Sequence, residues 1–281
     1  MNRDGLKAYP ALLMQTATYW QAPWLLQAMA QQGRSHYNEG CLIEDAHIMR
    51  PVGDSLLLAV ADGMSSAARG GEGALSAVSV VGHALTGIAH PDAADLKNAV
   101  GAAHAALIAT SPDAPHALAT TLAAVLISDK AVHAISIGDS NIVSITEDGA
   151  GALKLAPFCV GNQPSQDGTV SLTDPQWERH AGSVTSHPDL LTGLILATDG
   201  AQPFFYKDMG LSGRSALDAT VVQGLPAAIS KLTARSLSAY FSLLMTRPEY
   251  MSLDDRTLLM AFKPSEKESP PKPKTKVMAH A

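Results

Sequence analysis

The sequence predicts an α+β layered domain with antiparallel sheets and flanking helices, and three observations predict it. Between residues 119 and 157, short apolar runs follow one another through tight turns, the pattern of an antiparallel meander. Two helical patterns, about 69–89 and 92–109, stand together before that meander rather than alternating with single strands, which argues against a parallel βαβ sheet. With 46% hydrophobic and 16% charged residues over 281 positions, the chain can bury a sizeable core, which excludes global disorder.

The elements follow in order. Arg3 and Lys7 precede the apolar stretch "YPALLMQTATYWQAPWLLQAM", which loosely resembles a secretory signal. Gln15, Thr16, Gln21 and Pro23 interrupt it, and it is too polar for a membrane span. Residues 1–32 are therefore expected to be an uncleaved extension packing on or preceding the domain. "CLIEDAHIM" (41–49) partly alternates, and "SLLLAVA" (55–61) is continuously apolar, as in a strand buried on both faces; Pro51, Gly53 and Asp54 supply the turn between them. In the first helix Ala74, Ala77, Val78, Val81, Ala84, Leu85 and Ile88 recur at spacings of three and four. The second follows Pro91 with Asp92 and Asp95 in its first turn, where the helix dipole favours acids.

Strand character returns in "ATTLAAVLISD", "AVHAISIG", "SNIVSITEDG" and "ALKLAP". Residues 158–192 are rich in Gly, Pro, Ser, Asp and His and carry no clear periodicity. "GLILATDGAQPFF" (193–205) repeats the apolar run ending in Asp-Gly, residues 225–246 read as an amphipathic helix, and "TLLMAF" (257–262) is a final strand. Residues 263–281 are dominated by lysine, proline and serine, and are expected to form a disordered tail with a possible role in contacting a partner.

Charge and cysteine content narrow the function classes. A net charge of −6 argues against non-specific nucleic-acid binding, which needs a basic surface. Cys41 and Cys159 form no CxxC motif and no disulfide framework, so a reducing, cytoplasmic compartment is expected. "RGGEG" lacks the lysine and spacing of a phosphate-cradling loop, no HExxH pair occurs, and Ser65, Ser66 and Ser140 have no GxSxG context. His36 and His47 are the histidines nearest the first acidic motif.

The informative residues are acids at strand ends. Glu39 precedes the first strand, Asp62 ends the second, Asp139 follows "AVHAISIG", Asp199 follows "GLILAT", and Asp254 and Asp255 precede "TLLMAF". Antiparallel neighbours can place such ends on one edge. Converging carboxylates repel one another and are costly to desolvate without a cation between them. Oxygen ligands without a His or Cys cluster point to Mg²⁺ or Mn²⁺ rather than zinc. Two such ions can activate a bridging water and clamp a phosphoryl group, so the residues point to two-metal phosphoester hydrolysis.

The ordered set "NEG…VADGM…GGEGALSAV…ATTLAAVL…SIGDSNIVSI…LATDG…LDDRTLLM" resembles the metal-dependent protein phosphatases of type 2C, over about residues 33–262. The resemblance implies two stacked antiparallel β-sheets flanked by helix pairs, with two Mn²⁺ or Mg²⁺ ions at one sandwich edge. It implies hydrolysis of phosphoserine and phosphothreonine in proteins by in-line attack of a metal-bridging hydroxide. By the same resemblance Asp62 bridges the ions, Glu39 and the Gly63 carbonyl bind one each, Asp199 and Asp254 complete the acidic ligands, Asp255 supports them, and Asp139 belongs to a weaker additional site.

Three departures accompany the resemblance. Gly40 stands where the family has an Asp after its first Glu. Pro203 stands where an acid would complete a third metal site, so a complete third site is not expected. Ser35 stands where a phosphate-binding arginine lies, with Arg34 one residue earlier as the candidate for that role. They motivate an alternative, a catalytically weak or inactive domain that binds phosphoproteins as a regulatory module. A small-molecule phosphoesterase on the same scaffold is the third reading.

Overall fold

The structure, a computed structural model, describes residues 14–21, 23–161, 169–208, 215–217, 223–224 and 253–263. The expected helix at 225–246 and the tail beyond Lys263 lie outside these residues. Strands β1 (Met14–Gln21) and β2 (Trp24–Gln31) form a hairpin, followed by the short helix α1 (Arg34–Glu39). Strands β3 (Asp45–Val52) and β4 (Ser55–Asp62) precede helices α2 (Gly70–Ala84) and α3 (Ala93–Thr110). Then come β5 (Leu122–Ile127), β6 (Val132–Ile137), β7 (Asn141–Glu147) and β8 (Leu153–Cys159). The single turn α4 (Trp177–His180), β9 (Gly182–Ser186), β10 (Gly193–Ala197), the short pair β11 (Tyr206–Asp208) and β12 (Ser215–Leu217), and β13 (Arg256–Phe262) complete the order.

The main strands form two antiparallel sheets, one of six strands in the order β1-β2-β13-β10-β7-β8 and one of five in the order β3-β4-β5-β6-β9. The period of two along each strand explains how they stack. Leu56, Leu58 and Val60 of β4, with Ala123 and Val125 of β5, meet Leu26, Leu194, Leu196 and Leu259 of the six-stranded sheet. The alternate residues Leu57, Ala59, Ala61, Leu122, Ala124 and Leu126 pack under Val78 and Val81 of α2 and Val100 and Leu107 of α3. "SLLLAVA" is therefore apolar throughout because both of its faces are covered. On the other face of the six-stranded sheet, Met29, Ile195, Leu258 and Met260 pack with Phe204 and Phe205. The two-sheet sandwich and its α2–α3 pair agree with the fold class read from the sequence.

Residues 24–31 of the segment expected as an extension are built into the sandwich, since β2 pairs with β13 from Leu25 to Gln31 and thereby joins the six-stranded sheet. Helix α3 begins as its acids predict. Asp92 accepts hydrogen bonds from the N–H groups of Ala94 (2.8 Å) and Asp95 (3.0 Å), and the Asp92 N–H donates to Asp95 Oδ2 at 3.0 Å, a reciprocal cap. Lys263, first residue of the expected tail, donates to the Pro188 carbonyl at 2.7 Å and lies over the Trp24 ring. Cys41 and Cys159 are both free thiols. Among the described residues no helix is long and apolar enough to cross a membrane.

Candidate metal centre

Strand register carries the acids to one place. In the β3–β4 hairpin Asp45 stands directly opposite Asp62. In the other sheet, β10 runs antiparallel to β13. The Thr198 N–H bonds the Thr257 carbonyl at 3.0 Å, which sets Asp199 beside the start of β13, where Asp254 and Asp255 lie. Asp139 follows β6 after Gly138. Asp62, Asp139, Asp199 and Asp254 together line a pocket of about 110 Å³, with Met64, Ser65, Ser66, Thr121 and Thr169 between them. Four of the acids singled out in the sequence thus share one cavity.

Hydroxyls and backbone groups fix these acids. Thr198 Oγ1 donates to Asp45 Oδ2 at 2.8 Å, a bond from one sheet to the other. The Asp62 N–H donates to Thr121 Oγ1 at 3.0 Å, and Thr120 Oγ1 donates to the Asp62 carbonyl at 2.8 Å. Thr169 Oγ1 donates to Asp139 Oδ2 at 2.7 Å. Gly63 follows Asp62 at a place with no room for a side chain, because a Cβ there would lie 2.4 Å from the Gly70 carbonyl carbon at the start of α2.

The electrostatics show a site short of positive charge. Burial, then the charges of Asp45, Asp199, Asp254 and Asp139, push Asp62 up to about 11. Burial first, then Asp255 and Asp254, push Asp45 up to about 8, against the hydrogen bond from Thr198. Asp199 is raised by burial and by Asp139 and Asp254, and its Oδ1 is buried with no hydrogen-bond partner. Carboxylates so placed hold protons or a cation at neutral pH. The donors are all oxygen, a set that suits Mg²⁺ or Mn²⁺. Among the described residues no three His, Cys, Asp or Glu side chains already stand as a finished metal site. The fit rests on the donor chemistry, the mutual charge and the orphaned oxygen of Asp199.

Two expected site residues are not brought to this pocket. Arg34 and Glu39 occupy the first and last positions of α1, both exposed, and neither lines the cavity. The reason lies in where the chain turns. Gly40 closes α1 in the left-handed region, at φ 72°, and the chain needs four more residues before β3 begins. The acid opposite Asp62 is therefore Asp45, which the sequence reading did not single out. Glu44 with Asp45 supplies the Glu-then-Asp order that Glu39 with Gly40 lacks, and four residues before Glu44 stands Gly40 rather than an arginine. Pro203 is exposed within the 3₁₀ turn Asp199–Phe204.

Asp255 acts beneath the pocket. It is buried, and accepts from the N–H groups of Gly33 and Glu44, both at 2.5 Å. His36 lies between two acids, its Nδ1 2.9 Å from Asp255 Oδ2 and its Nε2 3.7 Å from Glu44 Oε2. Burial pulls the His36 pKa down, but Asp255, Glu44 and Asp254 outweigh it and the net shift is upward. His36 and Asp255 thus tie α1 to Glu44, the residue just before β3. His47, the other histidine near this motif, is lowered by burial.

The family profile described as Protein phosphatase 2C matches residues 32–239. The chain belongs to the protein phosphatase 2C family. Solved structures agree in fold at low sequence identity. A bacterial serine phosphatase superposes with TM-score 0.61 at 14% identity, covering 91% of this chain and 99% of that one. The serine/threonine phosphatase Stp1 from Staphylococcus aureus gives 0.60 at 14%, with 90% and 95% covered. The catalytic domain of the serine threonine protein phosphatase PstP, in complex with two manganese ions, gives 0.58 at 19%, with 89% and 98% covered. No curated protein matched the chain in sequence. Family membership supports a metal-dependent serine/threonine phosphatase in general terms.

Proposed function

We propose that this protein phosphatase 2C family member hydrolyses phosphoserine and phosphothreonine in proteins, using two Mn²⁺ or Mg²⁺ ions. The observation that carries the reading is the convergence of Asp62, Asp139, Asp199 and Asp254, from both sheets, on one pocket. Asp62, Asp199, Asp254 and the Gly63 carbonyl would hold the ions; Asp45, opposite Asp62, adds negative charge and an acceptor for bound water. When bound, such ions supply Lewis acidity toward a phosphoryl group and lower the pKa of water. The chain's own contribution is to preset its donors. Thr198, Thr120 and Thr121 anchor Asp45 and the backbone of Asp62, so the carboxylates need little reorganisation when charge develops on phosphorus. Cytoplasmic placement fits the two free thiols.

The test is hydrolysis of an aryl phosphate. Turnover is expected with Mn²⁺, with abolition by chelator and by Asp62→Asn; full activity in excess chelator overturns the reading. A second reading, a catalytically weak phosphoprotein-binding module, is favoured by one observation. The described lining of the acid pocket contains no arginine or lysine, and Arg34 stands exposed on α1. Phosphopeptide binding without metal-dependent turnover of the aryl phosphate would select it.

A further inference from the structure

Asp139 differs from the other acids of the pocket in what meets its carboxylate. Thr169 Oγ1 donates to its Oδ2 at 2.7 Å, the length of a hydrogen bond strengthened by an ionised acceptor. Its carbonyl accepts from Asn141 Nδ2 at 2.9 Å and from Gln202 Nε2 at 3.4 Å. The charge at Asp139 bears on its neighbours, since it is among the causes that raise both Asp62 and Asp199. Whatever compensates Asp139 therefore relieves the whole cluster.

Thr169 comes from outside both sheets, and the chain after it is pinned to the backbone of the site. The Leu172 N–H donates to the Thr120 carbonyl at 2.7 Å, Leu172 itself is buried, and Thr120 Oγ1 donates to the Asp62 carbonyl at 2.8 Å. Gly138 turns the chain into Asp139 at φ 88°, and a Cβ there would lie 3.0 Å from the Val170 carbonyl oxygen, so residue 170 packs directly on that turn. His104 Nδ1, 2.7 Å from the Leu172 carbonyl, ties the same stretch to α3. Residues 169–172 thus touch the supports of two acids at once, and they set Asp139 against Asp62.

A further cation beside Asp139 and Asp199 would find few donors of its own. Hard divalent ions gather a full shell of oxygens and are held to proteins chiefly through carboxylates. One oxygen of Asp139 already accepts from Thr169, and Asp199 is shared with the two ions placed above. Beyond the acids, the described lining adds only the neutral hydroxyls of Ser65, Ser66, Thr121 and Thr169. Pro203, where an acid could complete such a site, is exposed and has no oxygen in its side chain. We propose, resting on the phosphatase reading above, that Thr169 is a positioning residue whose hydroxyl takes the place of a third cation at Asp139. The chain then works with two ions. The hydroxyl gives the carboxylate a donated proton without asking for further carboxylates, and the branched Cβ of threonine restricts its rotamers, which holds that donor in one direction.

The experiment counts Mn²⁺ ions per chain, by calorimetry and equilibrium dialysis, and follows aryl-phosphate turnover against Mn²⁺ concentration. Wild type is expected to bind two ions, and Asp139→Asn to leave that count unchanged. Thr169→Val keeps the shape and removes the hydroxyl. It should admit a third, weaker ion, which Asp139→Asn in the same chain abolishes and which Thr169→Ser does not admit. Its kcat should fall about tenfold at the Mn²⁺ concentration that saturates wild type and recover at higher Mn²⁺, with KM unchanged. A hydroxyl that served only the fold would lower the melting temperature with no recovery by metal, and that result overturns the proposal. So does a third ion in wild type that Asp139→Asn removes, or a Thr169→Val protein that matches wild type in ion count and Mn²⁺ dependence. Should Thr169→Val not fold, the wild-type count with and without Asp139→Asn still decides. Two ions bound without turnover overturn the phosphatase reading alone, and the counts then decide for Thr169; absence of all Mn²⁺ binding overturns both.

Discussion

Asp45→Asn should make the metal-free protein more stable, and the gain should grow with pH. Asparagine keeps the shape and the oxygen that accepts from Thr198 Oγ1 at 2.8 Å, and removes the ionisable group. In the folded protein Asp45 is raised from 3.8 to about 8, by burial and by the charges of Asp255 and Asp254. Between those values the native state holds a proton that the unfolded chain has released, so folding stability falls as pH rises through that window. Below 3.8 both states are protonated and above 8 neither is, so the loss is confined to the window. Each pH unit corresponds to ~1.36 kcal/mol, so Asp45 costs about 4 kcal/mol at pH 7 without a cation. At ~2–4 °C per kcal/mol for a domain of this size, Asp45→Asn should melt on the order of 10 °C above wild type at pH 7. The assay is a melting series in chelator from pH 4.5 to 8, repeated in Mn²⁺. In chelator the gap should open with pH. In Mn²⁺ it should shrink or reverse, because the ion supplies the missing positive charge for wild type. A gap that is absent at pH 7, or constant across the series, refutes the claim that Asp45 is an uncompensated acid opposite Asp62.

Four further outcomes are expected. Asp62→Asn should lower aryl-phosphate turnover by at least ~100-fold, since loss of ~2.7 kcal/mol of transition-state stabilisation suffices for that; turnover within threefold of wild type would make Asp62 a turn residue. Glu44→Gln, one residue before Asp45 and closer in the chain to the acid pocket than Glu39, should weaken Mn²⁺ binding by calorimetry, while Glu39→Gln, at the exposed end of α1, should leave it unchanged; the opposite order would favour Glu39 over Glu44. His36→Ala leaves buried Asp255 without the ring nitrogen that lies 2.9 Å from its carboxylate and should cost about 1–3 kcal/mol in chemical denaturation, with partial recovery in His36→Gln. Gly40→Asp meets open space but must adopt φ 72°, so it should destabilise the fold by about 1 kcal/mol and leave Mn²⁺ affinity unchanged, measurable as a lower denaturation midpoint beside an unaltered titration.

How far the site could be read from the sequence depended on whether a residue sat at the visible end of an apolar run. Asp62, Asp139 and Asp199 each close such a run and Asp254 stands just before one, so strand ends located them without knowledge of which strands pair. The β1–β2 hairpin was missed for the converse reason. Its apolar residues are interrupted by Gln15, Thr16, Gln21 and Pro23 and give no clean period, and only pairing of β2 with β13 makes the segment part of a sheet. Residues 158–192 carry no periodicity, and within them the described stretch from Thr169 takes its form from single hydrogen bonds such as that from Leu172 to Thr120, which no period announces.

Asp45 was hidden by a strand boundary drawn four residues early, at Cys41, which put Glu44 and Asp45 inside the strand rather than at its end. Yet the pairing that exposes it follows from residues already recognised as a turn. Gly53 and Asp54 form a two-residue connection with Val52 opposite Ser55, and a connection of that length fixes the register of both strands. Counting outward from that pair, seven residues along one strand reach Asp62 and seven along the other reach Asp45. A carboxylate placed by register opposite another at the open end of a hairpin is an unfavourable pair in a sheet, since like charges facing across strands repel. It persists where something outside the pair compensates it. The register argument therefore makes Asp45 a candidate for the cation site from the sequence alone, and the same count excludes Glu39, which would fall six residues past the last paired position.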